Sequence, residues 1–151
     1  MQIQQMYEVE IPELEKGFDK ERLVKTRLNQ YRFRQLVMSN YDYTCCITGI
    51  QCPELLIASH IASWSKDELN RLNPANGLCL NALHDKAFDK GLITISAESF
   101  KIRISPILKK NTTESVVNSF IRYEDQPIRL PKNFYLTRRS CKYTTATFKR
   151  N

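Results

Sequence analysis

Between Leu55 and Gly91 the chain changes character three times, and the order of the changes restricts the fold more than any other feature. Leu55-Leu56-Ile57-Ala58-Ser59-His60-Ile61 is an apolar run with the length of a buried strand, and His60 stands at its end. Ala62 to Ala75 holds Trp64, several charges and Asn73-Pro74, and reads as a loop. Gly77-Leu78-Cys79-Leu80 is a returning strand. Ala82 to Asp89 follows as a short helix, with Gly91 placed to stop it. The order is strand, loop, strand, helix, and both histidines of the chain, His60 and His84, fall within it.

The flanks add further elements and make the expected class α+β. Phe18 to Met38 contains no Gly or Pro and reads as a long helix that Asp19 can cap, with Leu23, Leu28, Tyr31 and Leu36 at helical spacing. Its polar face carries Lys20, Arg22, Lys25, Arg27, Arg32 and Arg34, a stripe that suits either a phosphate backbone or plain solvent. Tyr43 to Ile50 reads as a short strand closing in a turn at Gly49. Leu92–Ile95 and Lys101–Ser105 alternate like a hairpin, Thr112–Tyr123 looks helical, and Pro127–Pro131 is held extended by its prolines. Met1–Glu15 reads as a strand or extended arm, and the tail from Asn133 has no readable period.

At 151 residues the expectation is one domain, with its core at about 43–95, an N-terminal arm and helix at 1–40 and a basic extension at 101–151. No apolar run approaches the roughly 20 residues of a membrane span, and Met1–Glu10 lacks the apolar stretch of a signal peptide, so a cytoplasmic protein is expected. The five cysteines, Cys45, Cys46, Cys52, Cys79 and Cys141, are odd in number and contain no CxxC pair. That disfavours a disulfide framework and a structural zinc site, and suits Cys45 and Cys79 as small hydrophobes; a site of Cys46, Cys52 and a histidine is the weaker alternative.

The net charge of +7 is unevenly spread. From Lys101 onward twelve basic residues face only Glu114, Glu124 and Asp125, which leaves the first hundred residues slightly acidic. A basic half fits a polyanionic partner, since each neutralised phosphate releases counterions, but it fits a solvated face equally well.

Three blocks together carry a family resemblance: Ile57-Ala58-Ser59-His60-Ile61, Asn73-Pro74-Ala75-Asn76-Gly77-Leu78 and Leu83-His84-Asp85-Lys86-Ala87-Phe88-Asp89-Lys90-Gly91-Leu92. From about Tyr31 to Ile104 the chain resembles the HNH endonucleases, in the branch found in bacterial restriction-type enzymes. The resemblance implies a ββα-metal (His-Me finger) core with a flanking N-terminal helix and C-terminal strands and helix. It also implies divalent-metal-dependent hydrolysis of a DNA phosphodiester, in a restriction or defence setting.

On that reading His60 is the general base, since a neutral imidazole can take a proton from water near pH 7. Asn76 matches the family's central asparagine, which ties the loop to the finger and orients the histidine; a competing reading makes it a turn former before Gly77. Asp85 and Asp89 fall at the family's helix-ligand spacing and share a helix face, and His84, one position earlier, is either a supporting group or the ligand itself. Their competing reading is solvated helix charge beside Lys86 and Lys90. The metal expected from two carboxylates is Mg²⁺, with Mn²⁺ as the alternative. Lys66 and Arg71 in the loop, with Arg32 and Arg34 of the long helix, are expected at the DNA backbone; Trp64 either joins them or covers the core.

The sequence departs from the family at Ser59, where many members carry an aspartate or histidine ligand, and in lacking the zinc-holding cysteine pairs. Two other readings stand beside the nuclease. One is a catalytically silent nucleic-acid-binding module that keeps the finger; the other is a structural or interaction domain indifferent to DNA. DNA is the expected partner, with a homodimer or a recognition subunit or domain as a further possibility.

Overall fold

A computed structural model of the chain describes residues 18–62 and 72–133. In chain order these form α1 (Phe18–Asn40), β1 (Leu56–His60), β2 (Gly77–Asn81), α2 (Ala82–Asp89), β3 (Ile93–Ile95), β4 (Ile102–Ile104), α3 (Pro106–Lys109) and α4 (Glu114–Ser119). Short 3-10 turns stand at Pro53–Leu55, Pro74–Asn76 and Ile121–Tyr123. Helices with two small antiparallel sheets make the α+β class expected from the sequence.

β1 and β2 pair antiparallel, with Leu56 opposite Asn81, Ala58 opposite Cys79 and His60 opposite Gly77. Every residue of β2 is buried, which is why it reads as an unbroken apolar run rather than an alternating one. α1 packs on the hairpin and on the turn at Pro74–Asn76, while α2 folds back onto both strands. No linker separates β2 from α2. Asn81 ends the strand and caps the helix, its Oδ1 accepting from the backbone N–H of His84 at 3.0 Å. Gly91, at φ 66°, ends α2 in a conformation open to glycine.

The second hairpin buries Ile93, Ile95, Ile102 and Ile104, all joined to the core formed by α1, β1 and β2. Each such side chain contributes about 1.5–3 kcal/mol by leaving water. Beyond it an extended segment runs back across the molecule. Ile128 N–H donates to Phe100 O, Arg129 N–H to Cys46 O at 2.8 Å and Lys132 N–H to Asn40 O at 2.9 Å, strapping the C-terminal part to the end of α1.

Three local expectations differ from the structure. Tyr43–Ile50 forms turns rather than a strand, because Asp42 and Tyr43 take left-handed φ of 51° and 50° and Gly49 turns at φ 78°. Its backbone meets the sheet at Cys46, whose N–H donates to Cys79 O at 2.8 Å, while Cys45 Sγ accepts from Asn81 N–H. In α1 the packed residues are Phe33, Val37 and Met38, while Leu23 and Tyr31 are 47% and 61% exposed: this helix meets the core only along its C-terminal turns. The helix expected over Thr112–Tyr123 breaks at Phe120, whose φ of −132° lies outside helical geometry. Among the described residues no helix is long and apolar enough to cross a membrane. The arm Met1–Glu15, the loop residues Trp64, Lys66 and Arg71, and the tail beyond Asn133 lie outside the described residues.

Candidate active site

Successive side chains of a strand point to opposite faces, and at the end of β1 this separates Ser59 from His60. His60 turns to α1. Its imidazole lies over the Phe33 ring with 3.8 Å between centroids and 9° between planes. Beside the pair a cleft of about 510 Å³ opens between the two elements, lined by Thr26, Gln30 and Arg34 from α1 and by Ile57 and Ala58 from β1. The imidazole and the Phe33 ring are part of its lining.

Asn76 is buried immediately before β2. Its Oδ1 accepts from Ala62 N–H at 2.8 Å, and its Nδ2 donates to Ala62 O at 3.2 Å. Its own carbonyl accepts from Ile61 N–H at 2.9 Å. Three hydrogen bonds therefore pin the two residues that follow His60 to the entry of the opposite strand. The turn itself is capped by a different residue, Asn73, whose Oδ1 accepts from Ala75 N–H at 3.0 Å.

Ser59 turns to α2, where it meets Asp85. Its Oγ is buried and makes no hydrogen bond of ordinary geometry, yet it lies close enough to favour the Asp85 carboxylate. Burial dominates over that influence and raises the Asp85 pKa above its usual value; Asp89 one turn on raises it further, and Lys86 opposes both. Asp89 is exposed.

His84 is held elsewhere. Its Nδ1 lies 3.1 Å from Asn81 Oδ1, and its ring packs against Phe120 at 5.1 Å and edge-on to Tyr123 at 5.7 Å. Asn81 Nδ2 donates to Thr48 Oγ1 at 3.1 Å, so its Oδ1 is the acceptor and the His84 proton is assigned to Nδ1. Burial lowers the His84 pKa, against a smaller opposing influence from the Ser119 backbone. None of these ring neighbours lines the cleft at His60.

Of the arginines expected at DNA, Arg32 is exposed on α1. Arg34 donates to Leu56 O at 2.6 Å and Pro53 O at 3.0 Å, so its guanidinium staples α1 to the start of β1. Lys66 and Arg71 fall outside the described residues. Two residues of this site were not singled out on the sequence: Phe33, which supports the imidazole, and Gly77 for the space it leaves. A side chain at Gly77 would place its Cβ 2.3 Å from Val37 Cγ2 and 2.9 Å from Phe33 Cζ. The signal available was the Asn76-Gly77 pair, read as a turn when the glycine is needed for close helix packing.

A divalent cation can be tested against these groups. Among the described residues no three His, Cys, Asp or Glu side chains converge tightly enough to enclose one. The half-buried Asp85, with Asp89 a turn away and the buried Ser59 hydroxyl beside it, suits a hard cation that keeps most of its waters and is held by one or two carboxylates. It does not suit a closed tetrahedral site.

Residues 45–96 match the sequence model of the HNH endonuclease family, a stretch that contains β1, β2, α2 and β3. The resemblance drawn from the three sequence blocks is borne out over that stretch. Among solved structures, a modification-dependent TagI restriction endonuclease is similar in fold, with a TM-score of 0.56 at 16% identity. The likeness covers 80% of this chain and 38% of that one, so the chain spans well under half of that enzyme's length. No curated protein matches the chain.

Proposed function

We propose that this chain, whose residues 45–96 form an HNH endonuclease domain, hydrolyses DNA phosphodiesters with His60 as general base. One observation supports it above the rest. Adjacent residues at the end of β1 hold two different reacting groups, with the His60 imidazole stacked toward α1 and Ser59 turned to the half-buried Asp85 carboxylate of α2. A proton acceptor and a carboxylate suited to a hard cation are thus set at one strand end.

In this reading His60 removes a proton from water as the water oxygen attacks phosphorus, and the 3′ oxygen departs. Asn76 keeps the strand end from moving by its bonds to Ala62. Asp85, with Asp89 in support, holds a divalent cation, Mg²⁺ being the one that best suits carboxylate and water ligands. When bound, such a cation supplies Lewis-acid stabilisation of the charge that develops on the phosphate oxygens. His84 supports α2 from within, through Asn81 and the aromatic rings of the C-terminal part.

The substrate is duplex DNA, held along its backbone by Arg32, by Lys66 and Arg71 of the loop and by the basic C-terminal extension. The fold likeness to a modification-dependent restriction endonuclease supports a role in restriction or defence. A single strand-strand-helix unit cuts one strand, so double-strand cleavage is assigned to a homodimer or to the addition of a recognition subunit or domain. Cleavage of supercoiled plasmid by wild type, His60→Ala and Asp85→Ala with Mg²⁺, Mn²⁺ and Zn²⁺ tests this reading. Nicking by wild type alone supports it, and identical behaviour of wild type and His60→Ala contradicts it.

A second reading has its own observation. The serine at position 59, whose buried hydroxyl is a poor metal ligand, favours a silent DNA-binding module. It requires salt-dependent DNA binding with no cleavage under any of the three metals.

A further inference from the structure

We propose that Phe33 is a positioning residue for His60, fixing the plane of the imidazole so that its reactive nitrogen stays aimed at the attacking water. The proposal rests on the reading of His60 as general base. The torsion between the tetrahedral and planar carbons of a histidine has no sharp minima of its own, so neighbouring groups set the plane of the ring. A second flat ring 3.8 Å away and 9° from parallel restricts that torsion, since rotation of the imidazole drives its edge into the phenyl face.

Phe33 can do this because it cannot itself move. It is 2% exposed, and its Cζ lies against the backbone at Gly77, the residue directly opposite His60 in the hairpin. The phenyl ring is thus wedged between the imidazole and the opposite strand. Stacked aromatic pairs gain interaction energy beyond the area they bury, which favours this parallel arrangement over a rotated imidazole. The same contact becomes more favourable when the imidazole gains a positive charge, because a phenyl face attracts a cation. Phe33 therefore holds the base in place before the reaction and supports the imidazolium formed during it.

The first measurement needs no variant. In the wild-type protein the ring protons of His60, one of only two histidines in the chain, resonate upfield of their random-coil positions because they lie over the phenyl face. Random-coil positions for the His60 resonances, assigned by their loss in His60→Ala, overturn the proposal. Phe33→Leu and Phe33→Met keep an apolar side chain and remove the flat ring. In either variant the His60 resonances move downfield, and kcat for plasmid cleavage with Mn²⁺ falls roughly tenfold to a hundredfold, as expected of a misaligned reacting group, with KM within about twofold.

Val37→Ala separates positioning from packing. It removes a fully buried neighbour and lowers the melting temperature, while the His60 resonances and kcat stay as in wild type. Folded Phe33→Leu with wild-type kcat overturns the proposal. Wild-type cleavage by His60→Ala removes the base assignment beneath it, and is told apart because the upfield resonances of wild-type His60 remain.

Discussion

Gly77 stands directly across the hairpin from His60, and the space left by its missing side chain is occupied by α1. Val37 and Phe33 close on that point so tightly that even a methyl group would sit 2.3 Å and 2.9 Å from their nearest atoms. The neighbouring atoms belong to buried side chains with little room to retreat. Gly77→Ala is expected to destabilise the protein by about 1–3 kcal/mol, the usual cost of overpacking, and to displace the ring beneath His60. Urea denaturation measures the first effect and the His60 ring resonances report the second.

Asn76 satisfies both polar groups of the Ala62 backbone from a buried position. Asn76→Ala leaves an N–H and a carbonyl without their partner, and each such loss costs about 1–3 kcal/mol. Asn76→Asp retains the acceptor for Ala62 N–H but sets an oxygen against Ala62 O, so it does not rescue. Both variants are expected to lose stability in denaturant titrations and to cleave DNA more slowly than their residual folded fraction accounts for.

Ser59 faces Asp85 between β1 and α2 and favours its charged form. Ser59→Asp puts a second carboxylate beside the first. Without metal the like charges lower the melting temperature; with Mn²⁺ the variant is expected to gain more than wild type, approaching about 2.7 kcal/mol at a hundredfold excess over Kd. Melting curves with and without Mn²⁺ check this, and equal gains in the two proteins would place the cation elsewhere.

Burial pushes the Cys79 thiol up to about 12 and raises that of Cys46 well above its usual value, with neighbouring cysteines adding to both shifts. The thiolate is the reactive form, so neither residue is expected to react with iodoacetamide at pH 8 in the folded protein, whereas both react in urea. Peptide mapping after alkylation distinguishes them from Cys52, which is only half-buried.

The strand–strand–helix order was legible because its signals are local: an apolar run ending at His60, a second at Gly77–Leu80 and a glycine that stops the helix. The hairpin at β3 and β4 was legible for the same reason, through alternating isoleucines. The strand expected at Tyr43–Ile50 failed because left-handed backbone at Asp42, a residue type that tolerates it, runs on into Tyr43, a type that rarely adopts it and so gives no signal. The packed face of α1 was misjudged because only its last turns reach the core, and periodicity does not say how far a helix extends beyond what it packs on. In the candidate site, His60, Asn76 and Asp85 could be named through the family resemblance. The stack on Phe33, the bonds of Arg34 to backbone carbonyls and the packing of His84 against Phe120 and Tyr123 are tertiary relationships that spacing does not carry.

The central claim is that His60 takes the proton from water. Its most direct test is the single-turnover rate of plasmid cleavage by His60→Ala with Mn²⁺, beside a melting curve showing that the variant is folded. The account predicts a loss of about 10²–10⁴-fold, the usual contribution of a general base. A folded His60→Ala that cleaves at the wild-type rate would contradict it.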